Sequence, residues 1–344
     1  MRITAVLFLS AFIFFSCSND NNAPDVSNIK VDIPVERFDK DFFSIDTIGI
    51  EKGLSAIAAK YPSIFPIFIN NILGIGDTLQ KESVMLFIRQ NKFLADSANK
   101  VFGNIDDVKE HLEQAFRYVK YYYPDYKVPK LVTIVGPPDA FAKKANGELT
   151  ANFLTEEFLG LSLQFYLGSD FSLYNDPIYV ASIAPQYISR RFDKRYIVAD
   201  AMKLIADDIS PDKSLGKGLI EQMIEKGKQI WLLDKFMPAI HDSIKTGYTK
   251  DQLSWCKANE GLIWNEIITT EKDLYTKDPL TLQNYIGEAP FTQSLGPQSP
   301  GNIGQWIGWR ILKKFTEKNP SMSVADIMKT DARKILEEAK YKPK

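Results

Sequence analysis

The amino-acid sequence predicts an α+β protein that is predominantly α-helical and contains a small antiparallel β-sheet. Apolar residues recur at helical spacing over 50–102 and again over most of the chain beyond residue 168. Between these regions, the β-branched run 131–135 and the segments 149–153 and 159–166 have the composition of strands. Many helices around one small group of strands indicate the α+β class.

The composition is that of a folded protein with balanced charge. The 344 residues are 45% hydrophobic and 12% aromatic, which is enough apolar material for a large core. Since 42 Lys and Arg residues face 43 Asp and Glu residues, the chain lacks the positive charge of nucleic-acid-binding proteins, and no nucleic acid partner is expected. Two histidines and two cysteines restrict zinc, histidine and disulfide chemistry.

The first 16 residues have the features of a bacterial lipoprotein signal peptide. A short positive start precedes an apolar run from Ala5 to Phe15, which is shorter than the roughly 20 residues that span a bilayer. Cys17 follows Ser16 at the position of a lipobox cysteine, so we predict that Cys17 is acylated and holds the chain in membrane lipid. A plain signal peptide with an incidental cysteine and a buried N-terminal helix are the alternatives.

These features divide the chain into a signal peptide (1–16), a lipidated cysteine with a flexible tether (17–30) and a globular domain (31–344). We treat 31–344 as one domain, with two intimate lobes as the alternative. Ser18 is not the aspartate that retains many lipoproteins at the inner membrane, so the outer membrane is favoured within the cell envelope. With Cys17 acylated, Cys256 has no partner for an intramolecular disulfide.

The elements of the domain follow from local patterns. Asp32–Asp46 is predicted to be extended, with Pro34 stiffening it. The helical region from Ile50 to Phe102 is expected to break at Tyr61-Pro62, Phe65-Pro66 and Gly74–Gly76. Asn104–Tyr123 is predicted to be a helix capped by Asn104.

The second half of the chain is expected to contain helices near Arg195–Ile209 and over 213–236, 252–272 and 303–312. Ser210 is the predicted N-cap of the second of these helices. A Gly- and Pro-rich loop is expected at Ile286–Gly304, as a surface connection or as the rim of a cleft.

Glycines on two of these helices predict close packing. Gly227 costs helix propensity of about 1 kcal/mol relative to alanine, so an advantage in packing is expected there. Gly304 and Gly308 form a small-residue pair at i and i+4, which in a soluble domain most often indicates a close helix contact.

Charged residues that lie on apolar helix stripes need partners, because a buried unpaired charge costs several kcal/mol. Asp234, Glu260 and Arg310 occupy such positions, and we predict that Arg310 pairs with one of the two acids. The functional version of this prediction places these three residues at a cleft or internal ion network together with Glu225, Lys228 and Glu266. A purely structural ion pair, or acids that reach solvent, is the favoured alternative.

No residue is assigned a catalytic or metal-binding role. Cys256 and His241 could form a thiol–imidazole pair, but a single cysteine on an apolar stripe usually fills the core. The aromatic groups at Tyr121–Tyr123 and at Trp306 and Trp309 could bind a peptide or glycan, although core packing is the better explanation.

Several segments together resemble one family, the gliding-motility lipoprotein B (GldB) family of Bacteroidetes. They are RFDKDFF (37–43), LGLSLQFYLGSD (159–170), MIEKGKQIWLLD (223–234), ANEGLIWNE (258–266), SPGNIGQWIGWRIL (299–312) and KYKPK (340–344). The resemblance implies a membrane-anchored envelope protein linked to surface gliding, with unidentified partners among envelope, motility or secretion proteins. Non-gliding relatives carry such proteins too.

The family also looks distantly similar to zinc metallopeptidases of the HExxH type, which implies a zincin-like layout. In those enzymes a helix that follows a small sheet presents two histidines four residues apart to zinc. The matching segment here, YIVADAMKLIADD (196–208), contains no histidine, and His111 and His241 lie in no such pattern. We therefore expect no zinc and no other cofactor.

The function predicted from these observations is that of a non-catalytic binding or assembly component of the envelope, with a degenerate metallopeptidase-like fold. One alternative is an active metal-dependent hydrolase with an unusual carboxylate-rich site. The other is a surface lipoprotein that captures glycans or peptides.

Overall fold

The structure is a computed structural model that describes residues 23–76, 81–144, 148–270 and 273–343. The predicted signal peptide (1–16) and the predicted acylation site, Cys17, lie outside the described residues. Within the described ranges, no helix is both long and apolar enough to cross a membrane.

The described chain is mainly helical and contains two small sheets. The strands are β1 (Val35–Glu36), β2 (Lys130–Ile134), β3 (Ala142–Lys143), β4 (Leu149–Thr150), β5 (Phe153–Leu154) and β6 (Phe158–Ser162). Four of them form the main sheet in the order β1-β2-β6-β5, and β3 pairs with β4 in a separate hairpin. The predicted α+β class is confirmed at this level.

The expected antiparallel direction of the main sheet is wrong for most of its strands. β1 and β6 run parallel to β2, with Val35 opposite Leu131 and Leu131 opposite Leu159, and only the edge strand β5 is antiparallel. Parallel neighbours need long crossovers. Helices connect β1 to β2, and the β3–β4 hairpin with β5 connects β2 to β6, so β1, β2 and β6 run in the same direction.

The helices of the first half confirm most of the predicted positions. They are α1 (Phe38–Phe43), α2 (Ile50–Lys60), α3 (Ile64–Pro66), α4 (Lys81–Phe102) and α5 (Asp106–Tyr122). The break expected at Pro66 does not occur, because α3 continues directly into a π-helical turn at Ile67–Ile72. Asn104 accepts a hydrogen bond from the Asp106 amide at 2.6 Å, although Ile105 is the residue that precedes α5.

The segment 32–46 is not extended throughout, as the sequence predicted, because it contains β1 and α1. Arg37 lies between these two elements and donates to the carbonyl oxygen of Phe102 (2.8 Å) and to Asp39 (2.9 Å). Thr133 of β2 donates to the same Asp39 carboxylate. This buried polar junction ties α1 to the sheet and to the end of α4.

The helices of the second half are shorter than predicted in two places. They are α6 (Pro177–Ser182), α7 (Gln186–Ser189), α8 (Ile197–Ile209), α9 (Leu219–Phe236), α10 (Asp242–Thr246), α11 (Lys250–Ala258), α12 (Glu260–Thr270), α13 (Pro279–Ile286), α14 (Ile303–Lys318), α15 (Val324–Lys329) and α16 (Ala332–Ala339). The single helix predicted over 252–272 is instead α11 and α12, separated at Asn259.

The helix predicted over 213–236 begins at Leu219, and Ser210 is not its cap. The N-cap is Gly218, whose amide donates to the Glu221 carboxylate at 3.2 Å. The Ser210 carbonyl oxygen instead accepts a hydrogen bond from Gln229 at 2.7 Å. Residues 210–218 are a loop that passes beside α9 rather than its first turns.

The main sheet supplies side chains to two hydrophobic cores. Val132, Ile134 and Phe158 face a smaller core with α1, α2 and α4, whereas Leu131 and Leu159 face the larger core formed by the later helices. Alternate residues of a strand point to opposite faces. The sheet is therefore a layer shared by both groups of helices.

The packed part of the chain starts before the predicted domain boundary at residue 31. Val26 is 4% exposed, and the Ile29 amide donates to the Val26 carbonyl oxygen at 3.0 Å in a turn. Part of the segment expected to be tether is therefore folded against the domain.

Candidate functional site

Helices α9 and α14 form the framework for most of the predicted site residues, and glycines bring them together. A Cβ atom on Gly227 would lie 2.1 Å from the Gly308 carbonyl carbon, and one on Gly308 would lie 1.7 Å from the Met223 oxygen. Both positions exclude any side chain. The close helix contact predicted from Gly227, Gly304 and Gly308 is confirmed.

Glu225 and Lys228 form a buried ion pair on α9. Lys228 Nζ lies 3.1 Å from Glu225 Oε2 and donates to the Thr330 carbonyl oxygen at 2.7 Å, and its side chain is 3% exposed. Lys217 pairs with the same Glu225 carboxylate at 2.9 Å. Burial lowers the pKa of Lys228, and Glu225 opposes that shift. The pair links α9 to the end of α15.

Asp234 belongs to a second cluster at the other end of α9. Its carboxylate accepts from Lys245 Nζ at 2.7 Å and from the Trp309 indole Nε1 at 2.8 Å. Lys313 lies 3.4 Å from the same carboxylate and stacks over the Trp309 ring, 3.8 Å from its centroid. Arg310 does not pair with Asp234.

Arg310 pairs with Glu260, the other acid that the sequence indicated. Arg310 Nε donates to Glu260 Oε1 at 2.9 Å, and the Tyr341 hydroxyl donates to the same oxygen at 2.6 Å. Burial and the Glu260 carboxylate raise the pKa of Tyr341. Glu266 lies further along α12 and accepts from Thr270 at 2.9 Å.

Five of the six predicted residues therefore lie in three separate ion clusters, and the sixth, Glu266, belongs to none of them. They do not form one continuous network across the helical core, because their side chains leave α9, α12 and α14 in different directions. Whether any of these clusters acts in function stays a prediction.

A different group of charged side chains lines a cleft of about 90 Å³ bounded by α8, α9, α10, the start of α14 and the β3–β4 hairpin. We refer to it as the charged cleft. Its cations are Lys144, Arg191, Lys203, Lys226 and Lys245, and its acids are Glu148, Asp207, Asp212 and Glu288. None of the six predicted residues lines it, although Lys245 is the partner of Asp234.

Ion pairs neutralise most of the charge around the cleft. Lys144 pairs with Glu148 (3.3 Å), Arg191 with Glu288 (3.3 Å), and Lys226 with Asp212 (3.6 Å). Lys203 pairs with Asp200 on α8 at 2.9 Å. The pairs of Arg191 and Lys226 join separate segments of the chain, whereas those of Lys144 and Lys203 lie within the β3–β4 hairpin and within α8.

The pKa of Glu148 reflects this charge arrangement. Desolvation raises the pKa of the carboxyl group, but the positive charges of Lys144, Lys226 and Lys203 outweigh it and leave the pKa below its usual value. Asp242 behaves in the same way, since Lys245, Lys313 and Lys257 outweigh the effect of its burial. Both carboxylates are thus ionised at neutral pH.

Two carboxamide oxygens in the wall of the cleft accept no hydrogen bond from the residues that the structure describes. Gln229 donates its Nε2 to the Ser210 carbonyl oxygen, which fixes the amide orientation and leaves Oε1 buried without a donor. Asn302 Oδ1 is likewise buried without a donor within the described chain. Asn302 also has a left-handed backbone, with φ 53°, which is uncommon for a residue other than glycine. Both oxygens can accept from a bound group or from water.

The thiol and the histidines lie in separate environments. Cys256 is completely buried, and burial raises the pKa of its thiol. His241 is exposed before α10, where its Nδ1 lies 2.8 Å from Ser243 Oγ, and His111 is exposed on α5 with Nδ1 2.6 Å from the Asp107 carbonyl oxygen. Within the described ranges, no three His, Cys, Asp or Glu side chains converge to hold a metal ion.

Sequence patterns contained only weak signals for the cleft. Lys203 and Asp207 are spaced four residues apart on α8, and Lys226 and Gln229 lie three apart on α9. Such spacing is common on solvated helix faces. Asn302, in the turn Pro300-Gly301-Asn302, offered the clearest local signal, because asparagine tolerates left-handed backbone in turns.

Fold and site together define a mainly helical α+β protein with two cores on a mixed sheet and a cleft of paired charges. The chain belongs to the family of gliding motility protein GldB, whose model matches residues 19–343. The family recognised from sequence motifs is thereby confirmed. No curated protein and no solved structure matches the chain, so the zincin-like layout stays a prediction.

Proposed function

We propose that the protein is a non-catalytic envelope lipoprotein that binds or assembles partner proteins of the gliding-motility or secretion machinery. The observation that carries the non-catalytic part is the pairing of charges in the charged cleft. A general acid or base works best with a pKa near the working pH, whereas nearby lysines hold the pKa of Glu148 below its usual value. The membership of the GldB family supports the link to gliding.

The charged cleft is the part of the surface that we assign to partner binding. Its ion pairs fix side chains from α8, α9 and the β3–β4 hairpin without an additional ligand. The free oxygens of Gln229 and Asn302 then offer two acceptors at preset positions. A partner segment with N–H or O–H donors would satisfy both oxygens, and the buried polar groups would favour it over an apolar segment.

A degenerate metallopeptidase-like fold is part of the same proposal. It is supported by the order of the elements, in which strands β5 and β6 precede α8, and by the lack of histidine on α8. The alternative of an active hydrolase requires a carboxylate-rich metal site. Stoichiometric zinc in the purified protein together with chelator-sensitive peptidase activity would establish that alternative and contradict ours.

Anchoring through acylated Cys17 would hold the domain close to the membrane. Val26 is already packed, so residues 18–25 alone separate the lipid from the folded chain. Eight residues reach at most about 28 Å when fully extended. The domain would therefore remain within roughly its own diameter of the lipid surface.

Replacing Cys17 with alanine tests the anchor. We expect the Cys17→Ala protein to leave the membrane fraction, because no acyl chain would remain to hold it. Cys256→Ala is the matched control, since it removes the other thiol and should leave the protein in the membrane fraction. Membrane retention of Cys17→Ala would refute lipid anchoring.

Asn302→Gly tests the binding role of the charged cleft. The change removes one free acceptor oxygen and relieves the left-handed backbone, so the protein should fold at least as well. In a gliding host that lacks its own copy, we expect the variant to restore less surface spreading and to lose cross-links to envelope proteins. Thermal unfolding of the purified variant shows whether folding is preserved.

Lys340→Gly is the control, because Lys340 is the other described non-glycine residue with a left-handed backbone, at φ 46°. It lies after α16 and lines no part of the cleft. Full spreading with the Lys340 variant and reduced spreading with the Asn302 variant would support the proposal. Equal spreading with both variants would count against a role for the cleft.

A further inference from the structure

A second pocket, of about 400 Å³, opens beside the charged cleft, and we call it the Arg190 pocket. Arg190 and Tyr187 contribute to its wall, and the other lining residues are neutral and polar: Ser169, Asn175, Gln186, Ser189, Thr249 and Gln252. Among the described residues, no carboxylate and no aliphatic side chain belongs to this lining. The described lining therefore carries a single formal charge, the guanidinium of Arg190.

The described contacts of Arg190 are all with neutral oxygens. Nε donates to the Tyr187 carbonyl oxygen at 3.1 Å, and Nη2 donates to the Gly247 carbonyl oxygen at 3.0 Å and to Gln252 at 3.4 Å. These bonds hold the guanidinium in place. In the part of the chain that the structure describes, Nη1 makes no hydrogen bond and no acid lies within ion-pair distance of Arg190.

The neighbouring charges do not neutralise Arg190. Arg191 follows it directly, and Glu288 contacts Arg191 at 3.3 Å rather than Arg190. Burial and the charge of Arg191 lower the pKa of Arg190, and they outweigh the opposing effects of Tyr196 and Glu288. A half-buried cation without an acid is costly, and an anionic ligand would remove that cost.

We propose that the Arg190 pocket binds an acidic sugar, with the carboxylate of the sugar on the guanidinium of Arg190. Hydroxyl and amide side chains around the guanidinium match the hydroxyl groups of a sugar, which both donate and accept hydrogen bonds. Tyr187 is the aromatic residue of the described lining. A peptide fits less well, because its side chains would find no apolar subsite in this lining.

This proposal goes beyond the binding of envelope partners. It concerns a different pocket, and it can be tested on purified protein without any motility assay. Loss of sugar binding would leave the proposed role of the charged cleft untouched, and loss of that role would leave the sugar site untouched.

Gln186→Glu is the decisive variant, because it adds a negative charge to the pocket without removing a contact of Arg190. Gln186 is exposed at the start of α7, and its carbonyl oxygen accepts from the Arg190 amide at 3.0 Å, which places the two side chains on neighbouring turns. Gln90→Glu is the matched control. Gln90 is exposed on α4, and its replacement by glutamate changes the net charge by the same amount.

Calorimetric titration with glucuronate, glucose and inorganic phosphate separates the outcomes. We expect saturable binding of glucuronate that Gln186→Glu weakens by about tenfold or more through like-charge repulsion, while Gln90→Glu leaves it unchanged. Added salt should weaken the same binding. Thermal unfolding of both variants confirms that folding is retained.

Three results would overturn the proposal. The first is the absence of glucuronate binding by the unaltered protein at millimolar concentration. The second is equal affinity for glucose and glucuronate, which would exclude recognition of the carboxylate. The third is phosphate binding as tight as glucuronate binding, which would show a general anion site rather than a sugar site.

Discussion

Gly308 shows how a single residue determines the packing of two helices. Its backbone lies against Met223 of α9, and no space remains for a methyl group. Gly227 has the reciprocal position opposite Gly308. Larger residues would force α9 and α14 apart, and with them the buried Trp306 and Trp309. The helix propensity lost at glycine is therefore offset by the packing of neighbouring residues.

Gly308→Ala should destabilise the protein by about 1–3 kcal/mol, because overpacking shifts the backbone of a well-packed core. The free energy of unfolding in urea measures the effect. Gly49→Ala is the control, since nothing lies within 4 Å of the Cβ that it would add. A Gly308→Ala protein as stable as the unaltered one would show that α9 and α14 are not in close contact.

Single residues also explain why the predicted ion network is divided. Arg310 pairs with Glu260, while Asp234 is occupied by Lys245 and the Trp309 indole. The sequence indicated which side chains needed partners, because a charged residue on an apolar helix stripe is expected to be buried. It could not distinguish between Asp234 and Glu260, because both lie on the apolar stripes of their helices.

At the scale of elements, the start of α9 depends on one glutamate. Glu221 caps the Gly218 amide and pairs with Arg333 at 2.9 Å on α16. The contact therefore fixes the beginning of α9 and its position relative to a distant helix. The first turn of α9 is therefore capped through Glu221 and Gly218, and not by Ser210 as the sequence predicted.

Glu221→Ala should lower the free energy of unfolding by about 1 kcal/mol, the usual cost of losing a helix cap. Arg333 is largely exposed, so its ion pair adds little to this value. Glu337→Ala on the exposed face of α16 is the control and should change stability much less. A loss of equal size in both variants would contradict the capping role.

The effect of Glu221 should depend on pH. The hydrogen bond from Arg333 lowers the pKa of Glu221 in the folded protein from its ordinary value of 4.5, and with the Gly218 amide it outweighs the opposite effect of burial. Because the pKa of Glu221 is lower in the folded than in the unfolded protein, its ionised carboxylate stabilises the fold above pH 4.5. This contribution is lost as the pH falls through the pKa of the folded protein. The difference in unfolding free energy between the Glu221→Ala and unaltered proteins should thus shrink below pH 4.5. A difference that stays constant down to the pH of unfolding would contradict this assignment.

At the scale of the whole molecule, the main sheet links the two hydrophobic cores. Val132 and Leu131 are consecutive residues of β2, yet they belong to different cores. Separation of the cores would expose one face of every strand in this sheet. We therefore expect the two groups of helices to unfold cooperatively, whether the chain is described as one domain or as two intimate lobes.

Unfolding in urea should be a single transition. The tryptophans, from Trp231 to Trp309, all lie in the second half of the chain and report on the larger core, whereas helical circular dichroism reports on the whole molecule. We expect the two signals to change together, because the shared sheet couples the cores. Transitions at different urea concentrations would indicate two lobes that unfold independently.

The amino-acid sequence by itself determined the main helical regions, the positions of β2 and β6, the close contact at Gly227 and Gly308, and the GldB family. These properties depend on short-range periodicity, on glycine within helices and on local motifs, all of which can be read along the chain. The charged side chains on apolar stripes were also evident, together with their need for partners.

Only the tertiary structure decided the direction of the strands, the division of the ion clusters, the charged cleft and the Arg190 pocket. β1, with Val35 and Glu36, is too short to be recognised from composition. The cleft combines the β3–β4 hairpin with residues from Arg191 to Gln305, and the pocket combines residues from Ser169 to Gln252. Such sites arise where distant segments meet, and the relative placement of these segments depends on how all the apolar faces are buried together.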